Sequence, residues 1–412
     1  MSQYKPYPKY KDSGVEWLGD VPEGWIVTSL KRYCNVTDGS HHSPKVQDIG
    51  FPFISVTDVG HNNINFKNCK KILEQDFKRL IKEGCQPNIG DILLTKDGTI
   101  GRAVIVKKNY PDFVILSSLG LLSPHKKLLN TYLYYYLLSG INIDQMNSMI
   151  HGSALKRMTI SKIDNLIISF PSLKEQKEIA NYLNQKTQKI DTLIEKQQTL
   201  IKLLKEKRQA VISHAVAKGL DDNSNKWQNK KIKFNLTLQN KKVTIKEQQV
   251  IALENIESKS GRYIKTNSNY KGEDVAFEKG DILFGKLRPY LAKVFKCKNN
   301  GVAFGDLLVF RPKNKIDSTF IFYVMLSDRF ISIVDSSTYG TKMPRASVEF
   351  INEMTMITPP LKEQKEIANY LDQKTQKIDT LIEKATKAIK LLKERRTALI
   401  SAVVTGKIDI QN

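Results

Sequence analysis

Four short stretches of the chain set basic side chains close to glycine: TKDGTIGR at 95–102, HGSALKRM at 151–158, GKLRPY at 285–290 and YGTKMPRA at 339–346. Glycine lets a loop backbone approach a ligand closely, and a cation beside it offers charge to an anion. Arginine in particular matches a phosphate, or the O6/N7 edge of guanine, with two parallel N–H donors. Lys96, Arg102, Lys156, Arg157, Lys286, Arg288, Lys342 and Arg345 are therefore the candidate DNA contacts. The competing reading is structural: each arginine pairs with an acid on the adjoining helix and closes its domain, while a strand-end lysine simply faces water.

The charge balance points the same way. Lys and Arg outnumber Asp and Glu by 65 to 42, a surplus of 23 that favours a polyanionic partner, nucleic acid first. Other chemistries lack their parts. GDILFGKL at 280–287 has the glycine-to-lysine spacing of a phosphate-binding loop, but Leu287 stands where Ser or Thr would hold magnesium, and Ile282, Leu283 and Phe284 read as a strand. Pro359-Pro360 lies in TPPL, so an adenine methyltransferase's N-P-P-Y-like segment is missing, as is its glycine-rich cofactor loop. His41-His42 has no third ligand at a metal-binding spacing. Glu-x-Lys triplets such as Glu175 and Lys177 read as solvated helix faces, and Tyr132–Tyr136 in TYLYYYLL as core filling. Cys34, Cys69, Cys85 and Cys297 are too scattered for a zinc site or a disulfide framework, which suits a reducing cytosol. The polar, basic N-terminus resembles no signal peptide, and no apolar run approaches the ~18–20 residues of a membrane span, so a cytoplasmic protein is expected.

An internal repeat supplies the elements that hold these loops. Shifted by 188 residues, the chain aligns 173–196 with 361–384, and only Asn184 against Asp372 differs. The match continues into IKLLKEKRQAVIS at 201–213 and IKLLKERRTALIS at 389–401. Proline stands just ahead of each copy, at 171 and at 359–360, and the next glycines are Gly219 and Gly406, so each copy reads as one long helix of ~65 Å. Ile190, Gln197, Leu204 and Val211 recur every seven residues, with Leu193 and Leu200 as the intervening contacts; Ile378, Ala385, Leu392 and Leu399 repeat the stripe. A period of 3.5 is the coiled-coil signal, so the two copies are expected to pair.

The segments before each helix are globular and diverged. Over 131–170 against 319–358 only nine of forty residues agree, among them Gly152 with Gly340 and Arg157 with Arg345. GDILLTKDGTIGRAVIV at 90–106 answers GDILFGKLRPYLAKVFK at 280–296. The expected architecture is α+β: mixed α/β readers at 1–170 and 221–358 alternate with helical regions at 171–220 and 359–412, pairing antiparallel with pseudo-twofold symmetry. Near-identical helices present near-identical docking surfaces, whereas diverged readers recognise different things.

This order of elements, the doubled P-x-L-K-E-Q-K-E-I-A-N-Y-L, the KTQKIDTLIEK that follows it, the strand GDILFGKLRPYLAKV and the opening YKDSGVEWLGDVPEGW resemble the specificity subunit of type I restriction-modification systems over essentially the whole chain. The resemblance implies a non-catalytic DNA reader in which each globular unit is a target recognition domain for one half of a split duplex target. It implies helices that set the spacing and dock two methylation subunits, through which restriction subunits join. S-adenosylmethionine, ATP and magnesium then belong to the partners, with no cofactor in this chain. The alternatives are a self-sufficient nuclease or ATPase using 280–287, and a structural coiled-coil adaptor without a DNA role.

Overall fold

The computed structural model describes residues 5–60, 62–150, 156–221, 227–246, 248–338, 340 and 343–411. They form two compact units, Met1–Lys196 with Ala388–Asn412, and Gln197–Lys387. Each unit holds a four-stranded antiparallel sheet of the same topology. In the first unit the strand order is Cys34–Asp38, Leu119–Pro124, Ile92–Thr95, Ala103–Ile105; in the second it is Leu236–Gln239, Leu307–Pro312, Ile282–Gly285, Val294–Lys296. A second sheet lies behind each, three-stranded in the first unit and four-stranded in the second, and in both a parallel pair closes one edge: Phe51–Ile54 beside Val114–Ile115, and Gly301–Phe304 beside Gln249–Ala252.

The Gly-Asp-Ile-Leu motif shows how sequence makes these sheets. Asp91 and Asp281 accept backbone N–H bonds from Asn88 at 2.7 Å and Glu278 at 2.8 Å, closing the turn before the strand. The apolar run that follows shows no polar alternation because both faces are covered. Ile92 and Leu94 enter the helical core while Leu93 faces the second sheet, as Ile282 and Phe284 do against Leu283.

The tyrosine-rich stretch forms the helix Asn130–Leu138, with Tyr132, Tyr134, Tyr135 and Tyr136 buried. Tyr132 donates to the carbonyls of Ser169 at 2.7 Å and Val404 at 3.0 Å, so the core placement leaves its hydroxyl partnered.

The repeated segments are the helices Leu173–Lys218 and Leu361–Val404. The second ends as expected of glycine in the left-handed region: Gly406 has φ +71°, its N–H reaches Val403 O, and Lys407 N–H reaches Ala402 O at 2.9 Å. In each unit the opening turns of one long helix lie in the same core as the closing turns of the other. Ile179 and Leu183 meet Ile400 and Val403 in the first unit, and Ile367 and Leu371 meet Ile212 and Ala215 in the second, which sets the helices antiparallel. Arg396 pairs with Asp191 at 3.0 Å, and Arg208 with Asp379 at 3.1 Å, the same pair under the 188-residue shift.

Two readings of the helices need correction. Leu193 and Leu200 are exposed, 46% and 42%, and do not line the seam. The covered stripe runs through Ile190, Leu204 and Arg208, which are buried, and Ile194, Gln197 and Ile201, which are half-buried, advancing four residues and then three. Adjacent apolar pairs such as Leu193-Ile194 and Leu200-Ile201 allow either flank, and the isoleucine of each pair is the less exposed. Glu175 is likewise no solvated face, since it accepts from Tyr7 Oη at 2.7 Å and Trp25 Nε1 at 3.2 Å.

Much of the repeat's identity is explained by how each reader sits on its helix. Gln176 accepts from Leu129 N at 2.7 Å and donates to Lys127 O and Pro171 O; Gln364 does the same with Asp317 N at 2.8 Å, Lys315 O and Pro359 O. Tyr135 donates to Asn184 Oδ1 and Tyr323 to Asp372 Oδ1, both at 2.7 Å, so the one substitution in the long identity keeps the acceptor oxygen.

Candidate nucleic-acid interface

In the first unit the chain leaves its four-stranded sheet at Lys96, and the loop that follows is tied to the segment ahead of the helix Ile160–Asp164. Met158 N donates to Lys96 O at 2.8 Å, Gly98 N donates to Lys156 O at 2.9 Å, and Asp97 forms a bridge with Arg157. The second unit repeats this: Ala346 N to Lys286 O at 2.9 Å, Arg288 N to Pro344 O at 2.8 Å, and Leu287 bridged to Arg345. In each unit the fold thus brings together two cationic stretches that lie far apart in sequence.

Their side chains differ. Lys96 is 2% exposed, with Nζ 3.4 Å from Asp38 Oδ2, so its ammonium props the loop from inside. Arg102 donates through Nη2 to Val56 O at 3.3 Å, while its Nε is buried without a hydrogen-bond partner. Arg157 is exposed and lies 3.2 Å from Asp97 Oδ1. In the second unit Asp306 takes both Lys286 Nζ at 3.5 Å and Arg345 Nη2 at 3.3 Å. Lys156 and Arg288 are exposed and have no side-chain partner among the described residues. Lys342 lies outside the described residues, as do Gly152 and the rest of 151–155.

The acids Asp97 and Asp306 come from strand-end loops, not from the adjoining helix, and sequence spacing does not reveal them. Exposed ion pairs of this kind contribute only ~0–1 kcal/mol, so an arginine here exchanges a carboxylate for a phosphate at little cost. Arg288 adopts φ 51°, ψ 64°, a left-handed conformation that Gly98 occupies at the matching place with φ +69°. Tyr290, two residues on, is 46% exposed beside this cation, an aromatic face that the R-P-Y order could have flagged. Behind the loop Lys293 donates to Leu253 O at 2.6 Å, and burial holds its ammonium below the ordinary lysine range.

The phosphate-loop reading of 280–287 has no support in this geometry. Ile282–Gly285 is a buried strand, the helical turn Pro289–Leu291 that follows is a single 3₁₀ turn, and Lys286 is engaged with Asp306. Among the described residues no three His, Cys, Asp or Glu side chains are grouped as metal ligands, and no helix is long and apolar enough to cross a membrane.

A family model, Type I restriction modification DNA specificity domain, matches residues 22–203 and 217–391. The chain is 24% identical over 439 residues to the putative type I restriction enzyme MjaX specificity subunit of Methanocaldococcus jannaschii, with 96% of each chain covered. It is 24% identical over 323 residues to the type I restriction enzyme EcoDI specificity subunit of Escherichia coli, covering 69% of this chain and 71% of that one. Among solved structures, a chain from the type I R-M system described for its complex assembly and conformational transition superposes with a TM-score of 0.70 at 13% identity, covering 93% of this chain and 98% of that one. The HsdS subunit from Thermoanaerobacter tengcongensis superposes with a TM-score of 0.52 at 14% identity, covering 94% and 98%. At these identities the superpositions speak for the fold.

Proposed function

Since the chain belongs to the type I restriction modification DNA specificity family, we propose that it is the non-catalytic reader of such a complex, each unit reading one half of a bipartite duplex target. One observation carries the two-headed reading. Both units build the same backbone frame at the end of the same strand, yet the frame presents Asp97 and Gly98 in one and Leu287 and Arg288 in the other. Identical scaffolds with different side chains suit two different sequences.

The helices support a partner bound twice. Buried Gln176, Thr187 and their counterparts Gln364 and Thr375 serve the chain's own packing. Among the described residues no side-chain contact accounts for the identity of the exposed face Gln185, Gln188, Lys189 and Leu193 with Gln373, Gln376, Lys377 and Leu381, the last four of which line a shallow depression with Thr380. We assign this face to a methylation subunit, one per copy, with restriction subunits joining through it; S-adenosylmethionine, ATP and magnesium then act in those partners, in the cytoplasm.

The test is to purify the chain with a matching methylation subunit and map methylated adenines on a plasmid library. A split, sequence-defined target is expected; methylation without one would overturn the reading.

A further inference from the structure

The seam of the helix pair carries two arginines that ordinary packing does not call for, and Arg208 is the more deeply buried. Arg208 occupies a stripe position otherwise held by Ile194 and Ile201, and its side chain is 8% exposed. Burying a guanidinium costs several kcal/mol unless its N–H groups are partnered. Only one of its partners is on the other helix: Nε donates to Asp379 Oδ1 at 3.1 Å. Nη1 donates to Lys259 O at 3.1 Å and Nη2 to Ser260 O at 3.4 Å, carbonyls of a turn in the second reader.

That turn answers in kind. Arg262 places Nη2 3.1 Å from Asp379 Oδ2 and Nη1 2.7 Å from Glu383 Oε1, so each oxygen of Asp379 takes a different arginine. The turn is tightly shaped: Lys259 has φ +63° and Gly261 φ +69°, and a Cβ at 261 would meet Val294 O at 2.5 Å and Phe322 at 2.6 Å. Lys259 N donates to Ala292 O at 3.1 Å. Ala292 caps the 3₁₀ turn Pro289–Leu291 that follows Arg288, so a continuous chain of contacts runs from the helix seam to the base of the cationic loop.

The first unit is built otherwise. Arg396, the counterpart of Arg208, pairs with Asp191, but its further neighbour is the hydroxyl of Tyr134 where the second unit has Phe322. Among the described residues no backbone carbonyl accepts from Arg396 there. The turn between the bridged residues Val59 and Ile64 is two residues shorter than that between Ile256 and Tyr263.

We propose that Arg208, Asp379 and Arg262 form a strap that fixes the second recognition domain on the helix pair, making Arg208 and Arg262 positioning residues for the second half-site. The proposal rests on the bipartite reading above. A strapped reader holds its loop at one distance along the DNA; an unstrapped one tolerates altered gaps between half-sites.

The test uses the complex with its methylation subunit, on a library in which both half-sites and the gap vary. Arg262→Ala leaves the Arg208–Asp379 pair intact and should keep the wild-type melting temperature. It should raise methylation at gaps one base pair longer or shorter by roughly 10-fold relative to the best target, well inside the ~10²-fold that 1 Å of misplacement costs. First half-site preferences should not change. Arg208→Met should do the same, and Arg262→Glu stands in for it if it does not fold. In the free chain, hydrogen exchange at the Lys259 amide should quicken in Arg262→Ala. Unchanged gap selectivity in Arg262→Ala and in the second variant overturns the strap, whatever the exchange result. A wild-type complex that has no split target overturns the bipartite reading itself.

Discussion

Arg288 separates the proposed DNA contact from stability more cleanly than the other cations of the candidate interface. Its left-handed backbone, φ 51° and ψ 64°, costs a residue with a Cβ ~1–2 kcal/mol that glycine does not incur. Its guanidinium has no partner among the described residues, so removing it leaves no acid unpaired. Arg288→Gly should therefore stabilise the second unit, raising its melting temperature by about 2–4 °C per kcal/mol recovered for a unit of this size. DNA binding should weaken in the same variant. Loss of a phosphate contact would lower the slope of log K against log salt by ~0.9, and loss of a guanine contact would cost ~1–3 kcal/mol, roughly 5- to 150-fold in affinity. Arg288→Ala keeps the strain and loses the charge, so it should bind like the glycine variant and melt like the wild type. Fluorescence anisotropy at several salt concentrations and thermal unfolding supply both readouts. Wild-type affinity and salt slope in Arg288→Gly would refute the assignment of this loop to DNA.

Gln364→Ala leaves Asp317 N, Lys315 O and Pro359 O without their shared partner, and should cost ~2–4 kcal/mol in denaturant unfolding. Leu381, 49% exposed on the repeated face, should tolerate aspartate with no change in melting temperature, while Leu193→Asp with Leu381→Asp should abolish co-purification of the methylation subunit. All four cysteines are buried and free, and burial pushes the Cys34 thiol up to about 12, with the other three also raised. Native protein at pH 8 should thus react with a thiol reagent only on unfolding. Because each folded thiol ionises later than its unfolded form, their contribution to stability is full below the ordinary cysteine pKa of ~8.5 and is lost as pH rises above it.

The long helices, their bounds and the strands of the Gly-Asp-Ile-Leu motif were legible because each depends on local pattern. A proline ahead, a glycine behind and a largely apolar stripe of helical period determine a helix whatever surrounds it. The covered flank was not legible, since Leu193-Ile194 and Leu200-Ile201 offer apolar area on both sides and local pattern does not choose between them. The ion pairs of the candidate interface were hidden for a related reason. Lys96 meets Asp38 and Arg345 meets Asp306 across long stretches of chain, and no periodicity links such residues. Arg208 did carry a signal, a charge standing in an apolar stripe beside an acid repeated at Asp191 and Asp379.

The duplicated helix separates two causes of identity that sequence alone merges. Gln176 and Gln364 are the same residue because each answers the same three backbone groups, and Thr187 and Thr375 because each faces a buried tyrosine hydroxyl. Asn184 and Asp372 differ because a tyrosine donor needs only an oxygen. Arg208 and Arg396 are the same residue in the same seam pair, yet only Arg208 holds a turn of its reader, so one letter serves two tasks. What packing leaves unexplained is the exposed face around Leu193 and Leu381, where a solvated helix surface is free to drift. Its identity in both copies is what one partner bound twice would require, and the loops around Asp97 and Arg288, which differ on one frame, are what the proposed reading of two DNA half-sites would require.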